Sequence, residues 1–520
     1  MEARILFFVF SFSGVNCFFR RFGIESSSCP VPPIVVGLSD DDLQYALDAF
    51  ESNVSSRVSE ASPAVAVGLV LNQDIVFAKG YGLVNISDKS RGHPTPDTGF
   101  RIGSLTKIFT VIELLQLRDT GRLSLNDPVT RLLPNFTVRN PFRTTDNITL
   151  RQLASHMSGL PREAPCSNIY NGGCDIPYDE MYKRLADISL IYPPGVMPLY
   201  SNLGFGLLGR AMEAFVNRSW EEYVKEGIVM PLNLTMTGTK FSEEVVKKMA
   251  VGYIGTEEAS LASLGWEAPA GDMYSSVNDL SKLMFLVFRN TVPYKQLSSQ
   301  ILDGETIREW MHPVYVASDR TGYCLPWELI PNGDYQMRCK AGAVNGYRAE
   351  LMMIPEIKAG VVILQASEDE DQLGHLLDAS FDLLLSVDSL MKKRQPRPNI
   401  SAVPSDYVGT YVSNDFGTEV HVEISIIESP AGRLLHSTFG FDLIYHFNDT
   451  FYLTLRYQPH TCRQWNDSIE REFIYFMRSG NTVTSFQIPG LEYGRVYKKT
   501  TSRRDSLVEQ RNNEGMRNTV

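Results

Sequence analysis

The sequence predicts an α/β fold of the α+β kind: an antiparallel sheet flanked by helices, with a helical insertion, followed by a C-terminal all-β module. Three observations predict it. Strand-like runs occur near residues 64–81 and again near 347–364, each beside a helical pattern. The stretch between them, from about 95 to 330, carries mostly helix and loop signals punctuated by Pro and Gly. After a Pro-rich link the pattern changes to short alternating strands. When both ends of a domain supply strands and a helix, and the middle supplies helices, covering the sheet with helices buries both layers.

Taken in order, Ser39 stands before Leu43, Ala46, Leu47, Phe50 and Val54, which is helical spacing behind an N-cap. Ala64 to Leu71 is β-rich, Asn72-Gln73-Asp74 turns, and Ile75 to Tyr81 returns as the second arm of a hairpin. Strands recur at Tyr347–Ile354 and Gly360–Leu364, with Pro355 between them. Ser367 then caps a long helix carrying Leu373, Leu376, Leu377, Phe381, Leu384 and Leu385. Lys392-Lys393-Arg394 and the prolines 396, 398 and 404 read as a linker, and Val420–Ile424 and Phe451–Leu455 exemplify the strands beyond it. The resulting organisation is 1–17 signal peptide, 18–38 N-terminal extension, 39–392 principal domain, 393–405 linker, 406–500 β-rich domain and 501–520 disordered tail.

Composition narrows the class. The chain has 520 residues, and Lys+Arg 49 against Asp+Glu 60 leaves a net charge of −11. That balance excludes a nucleic-acid surface, which needs clustered positive charge. The apolar run Ile5–Phe19 is too short to span a bilayer as a helix, so a signal peptide cleaved near Val15-Asn16-Cys17 is expected. A signal anchor through residues 5–19, held by Arg20 and Arg21, is the alternative. Export is also suggested by sequons at Asn53, Asn85, Asn135, Asn147, Asn217, Asn233, Asn399, Asn448 and Asn466. Removing Cys17 leaves six cysteines of the seven. Cys166–Cys174 and Cys324–Cys339, each flanking a short loop or hairpin, are the preferred pairs, with Cys29–Cys462 as the remainder among 15 connectivities. No CxxC or HExxH occurs, so no metal site and no cofactor are expected. The expected partner is a small-molecule or peptide substrate, and oligomeric state is left open.

Chemistry concentrates in three places. In Arg101-Ile102-Gly103-Ser104-Leu105-Thr106-Lys107, which opens an apolar helix to about Asp119, Ser104 and Lys107 stand three apart and share a face. A serine hydroxyl is a weak nucleophile and needs an adjacent proton acceptor; a lysine serves if burial and nearby positive charge depress its pKa. Alone, a Ser-x-x-Lys match more often means a capping serine and a solvated lysine. The second place is Pro193-Pro194-Gly195 leading to Tyr200-Ser201-Asn202 on a loop before an apolar helix. There a phenol can relay protons, and a carboxamide can bond both a substrate carbonyl and a lysine. The third is Lys340-Ala341-Gly342-Ala343 on an edge strand, where small residues let a substrate backbone lie close. The amides of Ser104 and Ala343 would then form an oxyanion hole.

Ser-x-x-Lys, Tyr-x-Asn and Lys-x-Gly in that order resemble the serine β-lactamase and penicillin-binding protein superfamily, in its class C-like branch. The segments Gly121–Pro128, Ile148–Leu153, Ser158–Pro161, Pro231–Leu234 and Ala270–Ser275 look like the same branch, over roughly residues 40–390. With the leader and sequons, the chain resembles animal secretory-pathway β-lactamase-like proteins, which carry an extra β-rich C-terminal region. The resemblance implies catalytic roles for Ser104, Lys107 and Tyr200, and substrate binding by Asn202, Lys340, Gly342 and Ala343. It implies acyl-enzyme hydrolysis of an amide, peptide or ester; a silent binding or scaffold ectodomain is the alternative. One position departs: a hydroxyl residue normally separates Lys from Gly, and here Ala341 does. That hydroxyl helps to bind a substrate carboxylate, and losing such a bond to a charged group costs about 1.5–3 kcal/mol. A Ser-His-Asp arrangement is disfavoured because no Gly-x-Ser-x-Gly elbow occurs, and His156 reads as a packed structural histidine.

Overall fold

A computed structural model describes residues 40–142, 147–166, 174–289, 299–394, 404–414, 419–429, 432–438, 441–447, 449–455, 472–489 and 495–500. The chain divides into two compact units, the first ending at Lys393 and the second starting at Arg394. The leader, the Cys29–Cys462 pair, the C-terminal tail and most of the linker lie outside the described residues.

The first unit is built on an eight-stranded antiparallel sheet. Helix α1 (Asp40–Ser55) leads into the hairpin β1 (Val65–Leu71) and β2 (Asp74–Tyr81). Asn72 turns it at φ 57°, a left-handed conformation that asparagine tolerates better than most residues. The helical insertion contributes α2 (Thr106–Asp119), α3 (Asn202–Val216) and α4 (Val277–Phe288). The sheet resumes with β3 (Tyr315–Val316), β4 (Gly322–Tyr323), β5 (Glu328–Asn332), β6 (Tyr335–Val344), β7 (Tyr347–Ile354) and β8 (Ala359–Gln365). Helix α5 (Glu370–Arg394) closes the unit. The spatial order is β2-β1-β8-β7-β6-β5-β4-β3, so the first hairpin joins the last strand through β1 and β8.

Two-residue alternation divides the core. From β8, Val361 and Ile363 join a cluster with Leu47 and Phe50 of α1 and Leu376 and Leu384 of α5. Val362 and Leu364 join the larger cluster that holds α2, α3 and α4. The terminal helices thus cover one face and the insertion covers the other. A β-carbon added at Gly68 would lie 2.4 Å from Val277 Cγ1, because α4 packs directly on β1.

Two local expectations are corrected. The first turn of α5 is capped by Asp369, whose Oδ1 accepts from the Gln372 N–H at 2.9 Å; Ser367 Oγ instead accepts from Gln365 Nε2. A carboxylate is favoured there because it also meets the positive end of the helix dipole. Cys166 and Cys174 do form a disulfide, but Cys324 and Cys339 are both free and buried. Although they flank the β5–β6 region, Cys339 packs in the terminal-helix core and Cys324 in the insertion core. Thiols buried in two separate cores cannot meet.

The second unit is a closed antiparallel barrel of eight strands: β9 (Gly409–Ser413), β10 (Val420–Ser429), β11 (Gly432–Ser437), β12 (Phe441–Phe447), β13 (Thr450–Leu455), β14 (Phe473–Ser479), β15 (Thr482–Gln487) and β16 (Val496–Lys499). Pairing of Tyr411 with Lys499 and Val412 with Lys498 closes it. Tyr411, Val422, Leu443, Leu453, Phe476 and Phe486 fill its interior. Closure removes the unpaired edges that an open sheet would expose.

Candidate active site

Ser104 lies in a single 3-10 turn, Gly103–Leu105, that feeds directly into α2. The turn can approach β6 only because two residues lack side chains. A β-carbon at Gly103, already at φ 48°, would lie 2.8 Å from both N and O of Ala343, and one at Gly342 would lie 2.1 Å from Ile102 O. The glycine of Lys-Ala-Gly therefore brings backbone against backbone beside the candidate nucleophile. Gly342→Ala should cost about 1–3 kcal/mol of stability by overpacking. It should also cost ester turnover on the order of 100-fold through misplacement. Urea midpoints and initial rates check both; a folded variant with normal turnover would contradict this role for the contact.

Strand β6 is not an edge strand along its whole length, as the sequence suggested. Its first half pairs with β5 up to Cys339 opposite Glu328, and only Lys340–Val344 is left paired with β7 alone. Asn202 likewise is the first residue of α3 rather than a loop residue. Ser201 caps that helix, accepting from Gly204 N at 2.9 Å and donating to Pro161 O at 2.7 Å.

These elements bring the three motifs together. Lys107 is fully buried, and its Nζ lies 3.0 Å from Ser104 Oγ, 2.7 Å from Asn202 Oδ1 and 2.7 Å from Ala270 O. The Tyr200 ring faces two lysine nitrogens, with Lys107 Nζ and Lys340 Nζ each 5.0 Å from its centroid. His156 stacks on the same ring at 4.2 Å, and its Nδ1 accepts from the Ser201 N–H at 3.1 Å. Lys340 donates to Glu328 Oε1 at 2.6 Å and to Ala341 O at 3.0 Å.

The electrostatics follow from burial and neighbours. Burial, joined by the positive charge of Lys340, holds the Lys107 amine below the ordinary lysine range against the opposing pull of Tyr200. For Tyr200 burial resists ionisation, but Lys107, Lys340 and the hydrogen bond from Ser104 outweigh it, so the phenol is more acidic than usual. Burial would also depress Lys340, yet the Glu328 carboxylate raises it and keeps it charged. His156 is held neutral by burial and by the cations Lys107, Lys340 and Arg162.

Three carboxylates escaped the sequence reading. Glu163 accepts from Asn202 Nδ2 at 2.7 Å, which fixes the amide so that its oxygen faces Lys107. Glu328 pairs with Lys340. Glu267, with neither carboxylate oxygen hydrogen-bonded among the described residues, is buried near Glu163 and Lys107, and burial pushes it up to about 9. The available signal was a lone acid inside an apolar run, as in Leu325-Pro326-Trp327-Glu328-Leu329-Ile330 and Gly265-Trp266-Glu267-Ala268-Pro269.

Comparison with known proteins shows the family. The family model for beta-lactamase matches residues 50–380. The chain belongs to the β-lactamase family. Among relatives of this β-lactamase-family chain, beta-lactamase-like protein 2 of Dictyostelium discoideum is 31% identical over 90% of the chain and 89% of its own length. The human beta-lactamase-like 1 protein is 28% identical, over 79% of this chain and 82% of its own. The fold matches a beta-lactamase/D-alanine carboxypeptidase from Yersinia pestis with TM-score 0.55 at 22% identity, over 67% of this chain and 100% of that one. It also matches the octameric penicillin-binding protein homologue from Pyrococcus abyssi, with TM-score 0.54 at 23% identity, over 88% of this chain and 100% of that one.

Proposed function

We propose that this chain is an active serine hydrolase that works through an acyl-enzyme on an amide, peptide or ester. The observation that carries the proposal is the seating of Lys107. Its two 2.7 Å partners, Asn202 Oδ1 and Ala270 O, are obligate acceptors and occupy two N–H bonds. A neutral amine held by those two bonds turns its lone pair toward the third neighbour, the Ser104 hydroxyl at 3.0 Å. If the shared proton sits on the lysine instead, the acidified Tyr200 phenol is the base beside the same hydroxyl. Either placement supplies a proton acceptor for the attack of Ser104 Oγ on a carbonyl carbon. The Ser104 proton passes to this pair and then to the leaving group, and water repeats the sequence to release the acid. The amides of Ser104 and Ala343 would receive the oxyanion, and Asn202 and Lys340 would orient the substrate.

Ala341 removes the hydroxyl expected between Lys340 and Gly342 and makes a substrate carboxylate a poor anchor. Neutral esters and amides are therefore the first substrates to test. A fluorophosphonate should label the protein once, at Ser104, and Ser104→Ala should abolish labelling. A folded wild-type protein that several such probes leave unlabelled would favour the silent scaffold.

The proposal includes passage through the secretory pathway. Supporting it are exposed sequon asparagines at 53, 135, 147, 217 and 233 and the oxidised pair Cys166–Cys174. No described helix is long and apolar enough to cross a membrane.

A further inference from the structure

The segment Leu190-Ile191-Tyr192-Pro193-Pro194-Gly195-Val196-Met197-Pro198-Leu199 runs directly into Tyr200 and exposes large apolar side chains. Ile191 is 49%, Val196 60% and Met197 39% exposed. This exposure does not come from a loose loop. Ile191 N donates to Gly159 O at 2.9 Å, Gly195 N to Met157 O at 2.8 Å and Leu199 N to His156 O at 2.8 Å, while three prolines stiffen the backbone. Chain geometry also keeps the rim near the chemistry, since three residues span at most about 11 Å from Met197 to Tyr200. A second segment contributes from another direction. Val314 and Val316 are exposed, and Val314 N is bonded to Tyr323 O at 2.8 Å. The Tyr323 ring meets His156 at 5.6 Å, the same histidine that stacks on Tyr200.

We propose that this apolar rim, centred on Val196 and Met197, binds the linear apolar chain of an acyl ester or amide whose carbonyl is presented to Ser104. The inference rests on the hydrolase reading and sharpens it by naming the substrate class. Fixed apolar side chains on a segment that runs into Tyr200, and on a second linked to it through Tyr323 and His156, offer a surface that a flexible hydrocarbon chain covers and a polar peptide does not. Lys340 is already paired with Glu328, which weakens its pull on an anionic chain end.

The test is a series of p-nitrophenyl esters from acetate to octanoate, each below its micellar concentration. Full burial of a methylene corresponds to about four-fold in affinity, and a half-open rim to about two-fold. kcat/KM for octanoate should therefore exceed that for acetate by roughly 30-fold or more, and the ratio should fall below about five in Val196→Ser/Met197→Ser. Calorimetric binding of octanamide against acetamide to the Ser104→Ala protein reads the same rim without turnover. Octanamide should bind Ser104→Ala at least ten-fold tighter than acetamide, and adding Val196→Ser/Met197→Ser should remove that preference. A flat ester series, equal amide binding, or a double variant that keeps the preference would overturn the inference. So would a preference seen only above the micellar concentration. An unlabelled Ser104 with no ester turnover would instead defeat the hydrolase reading, while the amide comparison still decides whether the rim takes a chain.

Discussion

Lys107→Met should lower kcat/KM for a neutral ester by about 1000-fold or more while leaving a folded protein. Removing a general base costs roughly 100- to 10,000-fold, and Lys107 also orders Ser104 and Asn202 through direct bonds. The variant keeps the buried apolar stem but strands two acceptors, Asn202 Oδ1 and Ala270 O, at about 1–3 kcal/mol each. That cost is offset by no longer burying an amine. The pH dependence separates a base from a packing role. Lys107 and Tyr200 are both held below their ordinary values, so wild-type kcat/KM should rise with pH and level off before the ordinary lysine value of 10.5. In the variant that rise should vanish or follow Tyr200 alone. Stability gives an independent sign: because the folded pKa of Lys107 is depressed, the unfolded chain binds more protons between the folded and unfolded values. Wild-type stability therefore increases with pH across that window, and the variant should lack that increment. Equal rates for variant and wild type, or an unchanged pH profile, would remove Lys107 from the mechanism.

Much of this architecture was legible because it is written in periodicity and order. The β1–β2 hairpin, the return of strands at Tyr347 and the change to short strands after the prolines each carry a local signal, and the structure places strands at all three. The motifs Ser104–Lys107, Tyr200–Asn202 and Lys340–Ala343 were readable as candidates because each sits where an element starts or where β6 loses a neighbour. What escaped depends on contacts between distant residues. No local pattern tells that Glu163 orients Asn202 from 39 residues away, or that Glu328 neutralises Lys340 across a strand pair. The Cys324–Cys339 pairing failed for a related reason: sequence proximity suggested a bridge, while Cys339 on β6 packs in the terminal-helix core and Cys324, between β4 and β5, packs in the insertion core. Close approach at Gly103 and Gly342 is equally invisible in sequence, since either glycine could have served a turn.

Glu267→Gln should stabilise the protein, and the gain should grow with pH. The Glu267 side chain is wholly buried, both its oxygens lack a hydrogen-bond partner among the described residues, and its pKa is pushed up to about 9. Burial is the main cause, the negative charge of Glu163 adds to it, and Lys107 opposes. The folded protein therefore holds a proton that the unfolded chain releases above about 4.5. Its stability is complete below that value and falls as pH rises toward about 9, by about 1.4 kcal/mol per unit. Gln has the same shape and no proton to lose, so at pH 7 the variant should be more stable by on the order of 3–4 kcal/mol. Denaturant midpoints at pH 5, 7 and 9 should show a difference near zero, then intermediate, then largest; a constant difference would mean that Glu267 does not titrate in the fold.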